Sequence, residues 1–267
     1  MIRPAAVMRS FLHRWACVSL NGGMALCVRA LAILCLFLPS SCGSDDTHNV
    51  EPASAPVAKI MPLGDSITES AAGQWTYRYF LWHRVKDAGY RIDFVGSMRG
   101  AYGGSPVRTD FDMDHEGHSG WRADQILDFL VGGAAAVASP DIVLLHLGTN
   151  DLCQGQDIPG TIDEISRIID LLRKVNPAVA VVLAQSIPST HGCHAEMPAF
   201  VAKLPDLAAT KGTTVSPVMV VDQHHGFDPT VMTWDGLHPN RQGESQMADR
   251  WFAALRSLLD SRFLARP

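Results

Sequence analysis

Short apolar runs at 58–64, 91–96, 141–147, 179–185 and 214–222 alternate with stretches of helical periodicity, and this alternation constrains the fold more than any other feature. Runs of that length are strands. Consecutive strands separated by a helix must run parallel, and the helices then cover both faces of the sheet. The expectation is an α/β fold with a five-stranded parallel sheet. In such a sheet the ligand crevice lies beyond the carboxyl ends of the strands, so the residues that follow each strand are the ones to inspect.

The helix readings rest on local signals. Trp75, Tyr79, Trp82 and Val85 recur at intervals of three or four, with Gly89 as a stop. "TIDE" (161–164) reads as a capping box ahead of Ile165, Ile168, Ile169 and Leu172, with Asn176-Pro177 ending that helix. A last helix from about Pro239 to Arg262 carries a stripe of Met247, Trp251, Leu255 and Leu258. Two longer irregular stretches, 97–120 and 222–238, have the length at which loops carry function.

The 267 residues, 47% of them hydrophobic, can build one good core or two small ones. A formal net charge of -5 with no long basic run leaves nothing to neutralise a phosphate backbone, which argues against a nucleic-acid partner. Arginines ahead of the apolar run in "MALCVRALAILCLFLPSSCGSDD" (24–46) predict a secretory signal over 1–42, too short in its uninterrupted part to span a membrane. Residues 1–23 are long and Arg-rich for a signal, which makes Met8 or Met24 alternative starts. Cys42, followed by Gly43, Ser44, Asp45 and Asp46, resembles a bacterial lipoprotein attachment site; lipidation there and plain secretion both stand as readings. Residues 43–57 are small, polar and Pro-containing, and read as a flexible linker to a domain over 58–267. Cys153 and Cys193 form an even pair in an oxidising compartment, and a disulfide is the first reading, two buried thiols the second.

Four strand mouths offer reactive groups. "LGDSIT" (63–68) places Ser66 directly after a sharp turn at Gly64, either as a helix cap or as a nucleophile whose own N–H faces the crevice. "LGTND" (147–151) places the Asn150 amide where it could stabilise an oxyanion, or simply makes a turn. "HEGHSGW" (115–121) leaves the N–H of Gly120 ahead of a helix, free as a further donor. In "WDGLHPN" (234–240), Asp235 and His238 lie three apart, so that a carboxylate can fix an imidazole tautomer. Together these four mouths supply the groups that acyl transfer requires.

In this order GDSIT, the glycine of "HSGW", GTND and "DGLHP" resemble the four blocks of the SGNH (GDSL-like) hydrolases, over about 58–262. The wording "IMPLGDSITE", "DFVGS", "HEGHSGWRADQI", "DIVLLHLGTNDL" and "DGLHPN" resembles the acetyl xylan esterases of the third carbohydrate-esterase family. The resemblance implies a flavodoxin-like three-layer α/β/α sandwich, with Ser66 as nucleophile, Asp235 and His238 completing a triad, and Ser66, Gly120 and Asn150 forming the oxyanion hole. It implies a serine esterase acting on an acetylated polysaccharide or small ester; together with the N-terminal signal pattern, the expectation is a monomer without cofactor, secreted or held in a bacterial cell envelope through Cys42. A lysophospholipase or thioesterase, or a catalytically silent glycan-binding lipoprotein, are the competing readings.

Other residues take plainer readings. Asp65, Trp121 and Trp234, beside the reactive blocks, are candidates for the substrate pocket, the two tryptophans for lining it or stacking on a sugar, with plain packing as their other reading. His191, His194, His224 and His225 lack the partners of a zinc site, so no metal is expected. "DMDHE" (112–116) reads first as a solvated acidic loop, with sugar contact or calcium binding as the other readings.

Overall fold

The computed structural model describes residues 56–133 and 138–263; the predicted signal, Cys42 and most of the linker lie outside the described residues. Strand β1 (Ala58–Gly64) is central. On one side it pairs in parallel with β5 (Ile142–His146), which leads to β6 (Ala180–Gln185) and β7 (Val218–Asp222), all parallel. On its other side the first half of β1 pairs with β2 (Ile92–Phe94), and its last two residues pair with β4 (Asp114–Gly117), again in parallel. A two-residue strand, β3 (Met98–Arg99), runs antiparallel to β4 at the sheet edge.

Among the described residues the sheet therefore has seven strands rather than five. The five expected strands are β1, β2, β5, β6 and β7; β3 is too short to show a pattern, and β4, reading DHEG, has no apolar run. The same strand corrects the reading of 112–116 as a solvated loop. His115 and Glu116 are buried, and Glu116 is satisfied internally by the Ser97 N–H at 2.8 Å, the Ser97 hydroxyl at 2.7 Å and the His118 ring at 2.7 Å. A carboxylate with three partners can be buried where an isolated one would be expelled.

Alternation along the strands divides the core into two layers. Ile60, Ile142, Leu144 and Val182 face one side, under α2 (Tyr77–Asp87) and α9 (Arg241–Arg262). Met61, Leu63, Val143, Leu145 and Val181 face the other, under α3 (Ala123–Val131), α5 (Ile158–Val175), α6 (Met197–Val201) and α7 (Leu204–Lys211). Helices on both faces make the three-layer sandwich that the resemblance implied.

Three helix details differ from expectation. In α2 the buried residues are Tyr77, Arg78, Leu81 and Val85; Trp75 precedes the helix, whose N-cap is Thr76, and Trp82 is only half-buried. Helix α5 starts at Ile158, one turn before "TIDE", because the Asp157 carboxylate caps it by accepting from the Gly160 N–H. Its core residues, Ile165, Ile168, Ile169 and Leu172, are the ones the pattern indicates. Helix α9 starts at Arg241, where Asn240 accepts from the N–H groups of Gln242 and Gly243.

Candidate active site

The apolar run of β1 ends at Gly64, where the chain turns into a short helix, α1 (Ser66–Glu69). A side chain at Gly64 would bring its Cβ to 2.4 Å from the His146 carbonyl oxygen and to 2.4 Å from the Thr68 hydroxyl. Only glycine lets β1 lie this close to β5 and still turn. Asp65 caps α1 through Oδ1, which accepts from the Ile67 N–H at 2.9 Å. Its side chain therefore points inward, is fully buried and does not line the cleft, which corrects its place among substrate-pocket candidates. Burial, with a smaller contribution from the Asp151 charge, pushes the Asp65 carboxyl up to about 7.

With the cap supplied by Asp65, the Ser66 hydroxyl is left for other work. Its Oγ lies 2.9 Å from His238 Nε2. Across the same ring, His238 Nδ1 lies 2.7 Å from Asp235 Oδ2, while Asp235 Oδ1 accepts from the N–H groups of His238 at 2.7 Å and Leu237 at 3.0 Å. Burial alone would push the Asp235 carboxyl up, but the hydrogen bonds from the His238 ring and these two N–H groups outweigh it and hold the carboxyl below its ordinary range. An ionised Asp235 fixes the imidazole with its proton on Nδ1, leaving Nε2 to accept from Ser66. Trp234 stacks on the His238 ring, the planes tilted by 16° with centroids 5.3 Å apart, and limits the ring to this orientation.

Ser66 and His238 open into a cleft of about 440 Å³, lined also by Gly120, Asn150 and Trp234. Asn150 sits in the first turn of α4 (Thr149–Cys153); its Nδ2 donates to the Trp121 carbonyl at 3.0 Å, which fixes the amide plane and leaves its second hydrogen available. The Gly120 loop is held from both sides: the Glu69 carboxylate accepts from the Ser119 N–H at 2.7 Å, and Gln154 Nε2 donates to the Gly120 carbonyl at 2.9 Å. The N–H of Ser66, first in α1, has no acceptor within its helix. Three N–H donors from Ser66, Gly120 and Asn150 thus border one cleft, an arrangement suited to a developing oxyanion.

Of the two readings for Trp121, the structure shows packing. Its ring stacks on His118 at 4.2 Å and meets Phe129 edge-on at 5.7 Å, packing against the α3–α5 core rather than lining the cleft, while its carbonyl orients Asn150. Trp234 does line the cleft and is 48% exposed.

Sequence reasoning missed three supports. Arg78, fully buried, donates to the carbonyls of Thr68, Glu69, Gly100 and Met113, tying the end of α1 to the 98–114 segment. Glu244 borders the cleft from α9 and accepts from the Tyr77 N–H; burial raises its carboxyl well above the ordinary range and so favours the neutral acid. The 189–194 segment bridges the two halves of the site. Cys193 is disulfide-bonded to Cys153 on α4, and His194 contacts the Thr149 carbonyl at 2.9 Å, while the Thr190 N–H donates to the Gly236 carbonyl at 2.8 Å. The bridged pair agrees with the first reading of these cysteines. With both thiols consumed in the bridge, the cluster of Cys153, Cys193 and His194 offers a metal no thiolate.

Residues 63–245 match the GDSL-like lipase/acylhydrolase family. The chain belongs to this family. Against the multidomain esterase of Ruminococcus flavefaciens it is 31% identical over 229 residues, 78% of this chain and 29% of that protein, so it spans under a third of that relative's length. The crystal structure of a carbohydrate esterase of family 3 from Talaromyces cellulolyticus is similar with a TM-score of 0.69 and 32% identity, covering 76% of this chain and 99% of that one. An acetyl esterase mutant solved with an acetate ion is similar to the same degree, with a TM-score of 0.69 and 31% identity over 76% of this chain and 99% of the other. Within the family, this chain is similar to family 3 carbohydrate esterases along nearly their whole length.

Proposed function

We propose that the chain is a serine esterase that removes O-acetyl groups from carbohydrate by a Ser66–His238–Asp235 acyl-enzyme mechanism. The observation that carries this reading is the hydrogen-bonded series from Ser66 Oγ through the His238 ring to the Asp235 carboxylate, opening on a cleft bordered by Gly120 and Asn150. Ser66 Oγ attacks the ester carbonyl while His238 Nε2 takes its proton, and the carbonyl oxygen becomes an oxyanion facing the N–H groups of Ser66, Gly120 and Asn150. Collapse breaks the bond to the alcohol oxygen, which leaves with the proton from Nε2. Water then gives a proton to the same nitrogen, attacks the acetyl-serine, and the acid departs as Ser66 recovers its proton. Throughout, Asp235 stabilises the imidazolium without taking the proton itself.

Similarity to an acetyl esterase and a family 3 carbohydrate esterase supports acetyl as the acyl group and carbohydrate as the alcohol. Export to an oxidising compartment, with or without a lipid on Cys42, is supported by the Cys153–Cys193 bridge, since such bonds persist outside the reducing cytosol. The test is acetate release from acetylated xylan beside turnover of p-nitrophenyl acetate and octanoate, with Ser66→Ala as control. Acetate release from xylan and preference for the short ester support the reading; preference for octanoate, or full activity without Ser66, overturns it. Mass analysis of the mature N-terminus tests export and lipidation.

A further inference from the structure

We infer that Tyr102 is a sugar-binding platform at the mouth of the cleft, holding the pyranose ring whose acetyl ester reaches Ser66. The inference rests on the carbohydrate reading above and assigns a residue to its alcohol side. Of the four tyrosines, three are engaged in the fold. Tyr77 is buried with its hydroxyl on Thr68, Tyr90 bonds Asp260, and Tyr79 packs edge-on against Phe80, His83 and Phe111. Tyr102 is 65% exposed, the most exposed large hydrophobic residue described, and its side chain has no ring or hydrogen-bond partner among the described residues. It nevertheless lines the cleft that contains Ser66 and His238.

An exposed aromatic on a loose loop would mean little, but this one is held. Ala101 and Gly104 exchange both backbone hydrogen bonds, at 3.0 and 3.1 Å, around a two-residue turn of Tyr102 and Gly103. Gly103, at φ 76°, takes the left-handed conformation that the turn requires at this position. Tyr102 is also bridged to the chain beside the nucleophile, since its N–H donates to the Ser70 carbonyl at 3.1 Å and its carbonyl accepts from Ala72 at 2.9 Å. The fold thus spends four backbone hydrogen bonds on presenting one unpartnered ring. The backbone that carries the ring is ordered before any ligand arrives, which lowers the entropy a ligand must offset on binding it.

The occupant follows from the position. Ser66, Gly120 and Asn150 line the same cleft of about 440 Å³ as Tyr102, so an ester whose carbonyl lies at Ser66 carries its alcohol part into a space that the Tyr102 ring borders. Tyr102 and Trp234, 48% exposed, both border it, and polar side chains from Gln74 and Ser119 share the lining. Aromatic faces meet the C–H face of a pyranose, and polar neighbours meet its hydroxyls. A long acyl chain would instead need an enclosed apolar channel.

The test compares wild type with Tyr102→Ala, Tyr102→Phe and Tyr102→Trp on acetylated xylo-oligosaccharide and on ethyl acetate, which has no ring to stack. Acetate release is measured in both cases. The expected result is that Tyr102→Ala lowers the ratio of kcat/KM on the oligosaccharide to that on ethyl acetate by about five- to tenfold. The loss falls on KM, because the contact is made equally in ground and transition states, and Phe or Trp restores the ratio. An equal loss on both substrates, or none on the oligosaccharide, overturns the platform while leaving the deacetylase reading intact. A wild-type enzyme that hydrolyses ethyl acetate but releases no acetate from any acetylated glycan overturns both.

Discussion

Ser66 Oγ and His238 Nε2 lie 2.9 Å apart although 172 residues separate them in the chain. The pair meets because β1 ends at Gly64 while the loop ahead of α9 returns over the same end of the sheet. If this pair moves the proton, Ser66→Ala reduces turnover of p-nitrophenyl acetate to background. Asp235→Asn lowers kcat by about 10⁴, because an amide lets the imidazole present the wrong tautomer. Steady-state kinetics on folded variants, verified by circular dichroism, checks both.

If Asn150 donates to the oxyanion, Asn150→Ala removes that donor and also the bond from its Nδ2 to the Trp121 carbonyl. The expected effect is a fall in kcat of about 10²–10³ with little change in KM, since the lost bond matters most when charge develops. A rise in KM at constant kcat would assign Asn150 to ground-state binding instead.

Asp65 makes folding stability depend on pH. Its carboxyl has an ordinary pKa of 3.8 and is pushed by burial to about 7 in the folded chain. Between these values the folded state holds a proton that the unfolded state has released, so this contribution is complete below about pH 4 and is lost as pH rises toward 7, by at most about 1.4 kcal/mol per unit. Asp65→Asn keeps the capping oxygen and removes the titration. Urea unfolding at pH 5 and pH 8 reads the difference: the stability gap between wild type and variant shifts in favour of the variant at pH 8. A gap independent of pH contradicts the assignment.

Reduction of the Cys153–Cys193 bridge is expected to act on both stability and rate. The bridge closes a loop of 40 residues, for which chain entropy gives about 3–4 kcal/mol. It also anchors the 189–194 segment, which joins the helix bearing Asn150 to the carbonyl of Gly236, next to Asp235. Cys193→Ser and dithiothreitol treatment both lower the melting temperature and reduce kcat at a temperature where the protein remains folded. A loss of melting temperature alone would confine the bridge to stability.

Arg78→Lys tests whether four carbonyls need one fork. A lysine presents its three donors from a single point and cannot reproduce the planar fork that reaches Thr68, Glu69 and Gly100 as well as Met113, whose carbonyl keeps the Gly100 N–H at 3.2 Å; each buried carbonyl that loses its donor costs about 1–3 kcal/mol. The melting temperature falls by several degrees, read by calorimetry.

Much of the fold and the site was legible in the chain alone. The five principal strands and the core stripes of α5 and α9 follow from apolar period, and short motifs at strand ends single out the candidates Ser66, Gly120, Asn150, Asp235 and His238 that the fold gathers at one cleft. These are local properties, set by spacing and by the backbone needs of a turn such as that at Gly64. What only tertiary structure decided is where polar groups find partners. Glu116 is buried because Ser97 and His118 come to it, Arg78 because four carbonyls converge, and Asp65 turns inward to cap α1 while Trp121 leaves the cleft to cover His118. Tyr102 is the converse, an aromatic ring held in solvent by backbone bonds to Ser70 and Ala72. Sequence period reports the average cost of burying a residue type; whether that cost is offset depends on groups that only the folded chain brings within hydrogen-bonding distance.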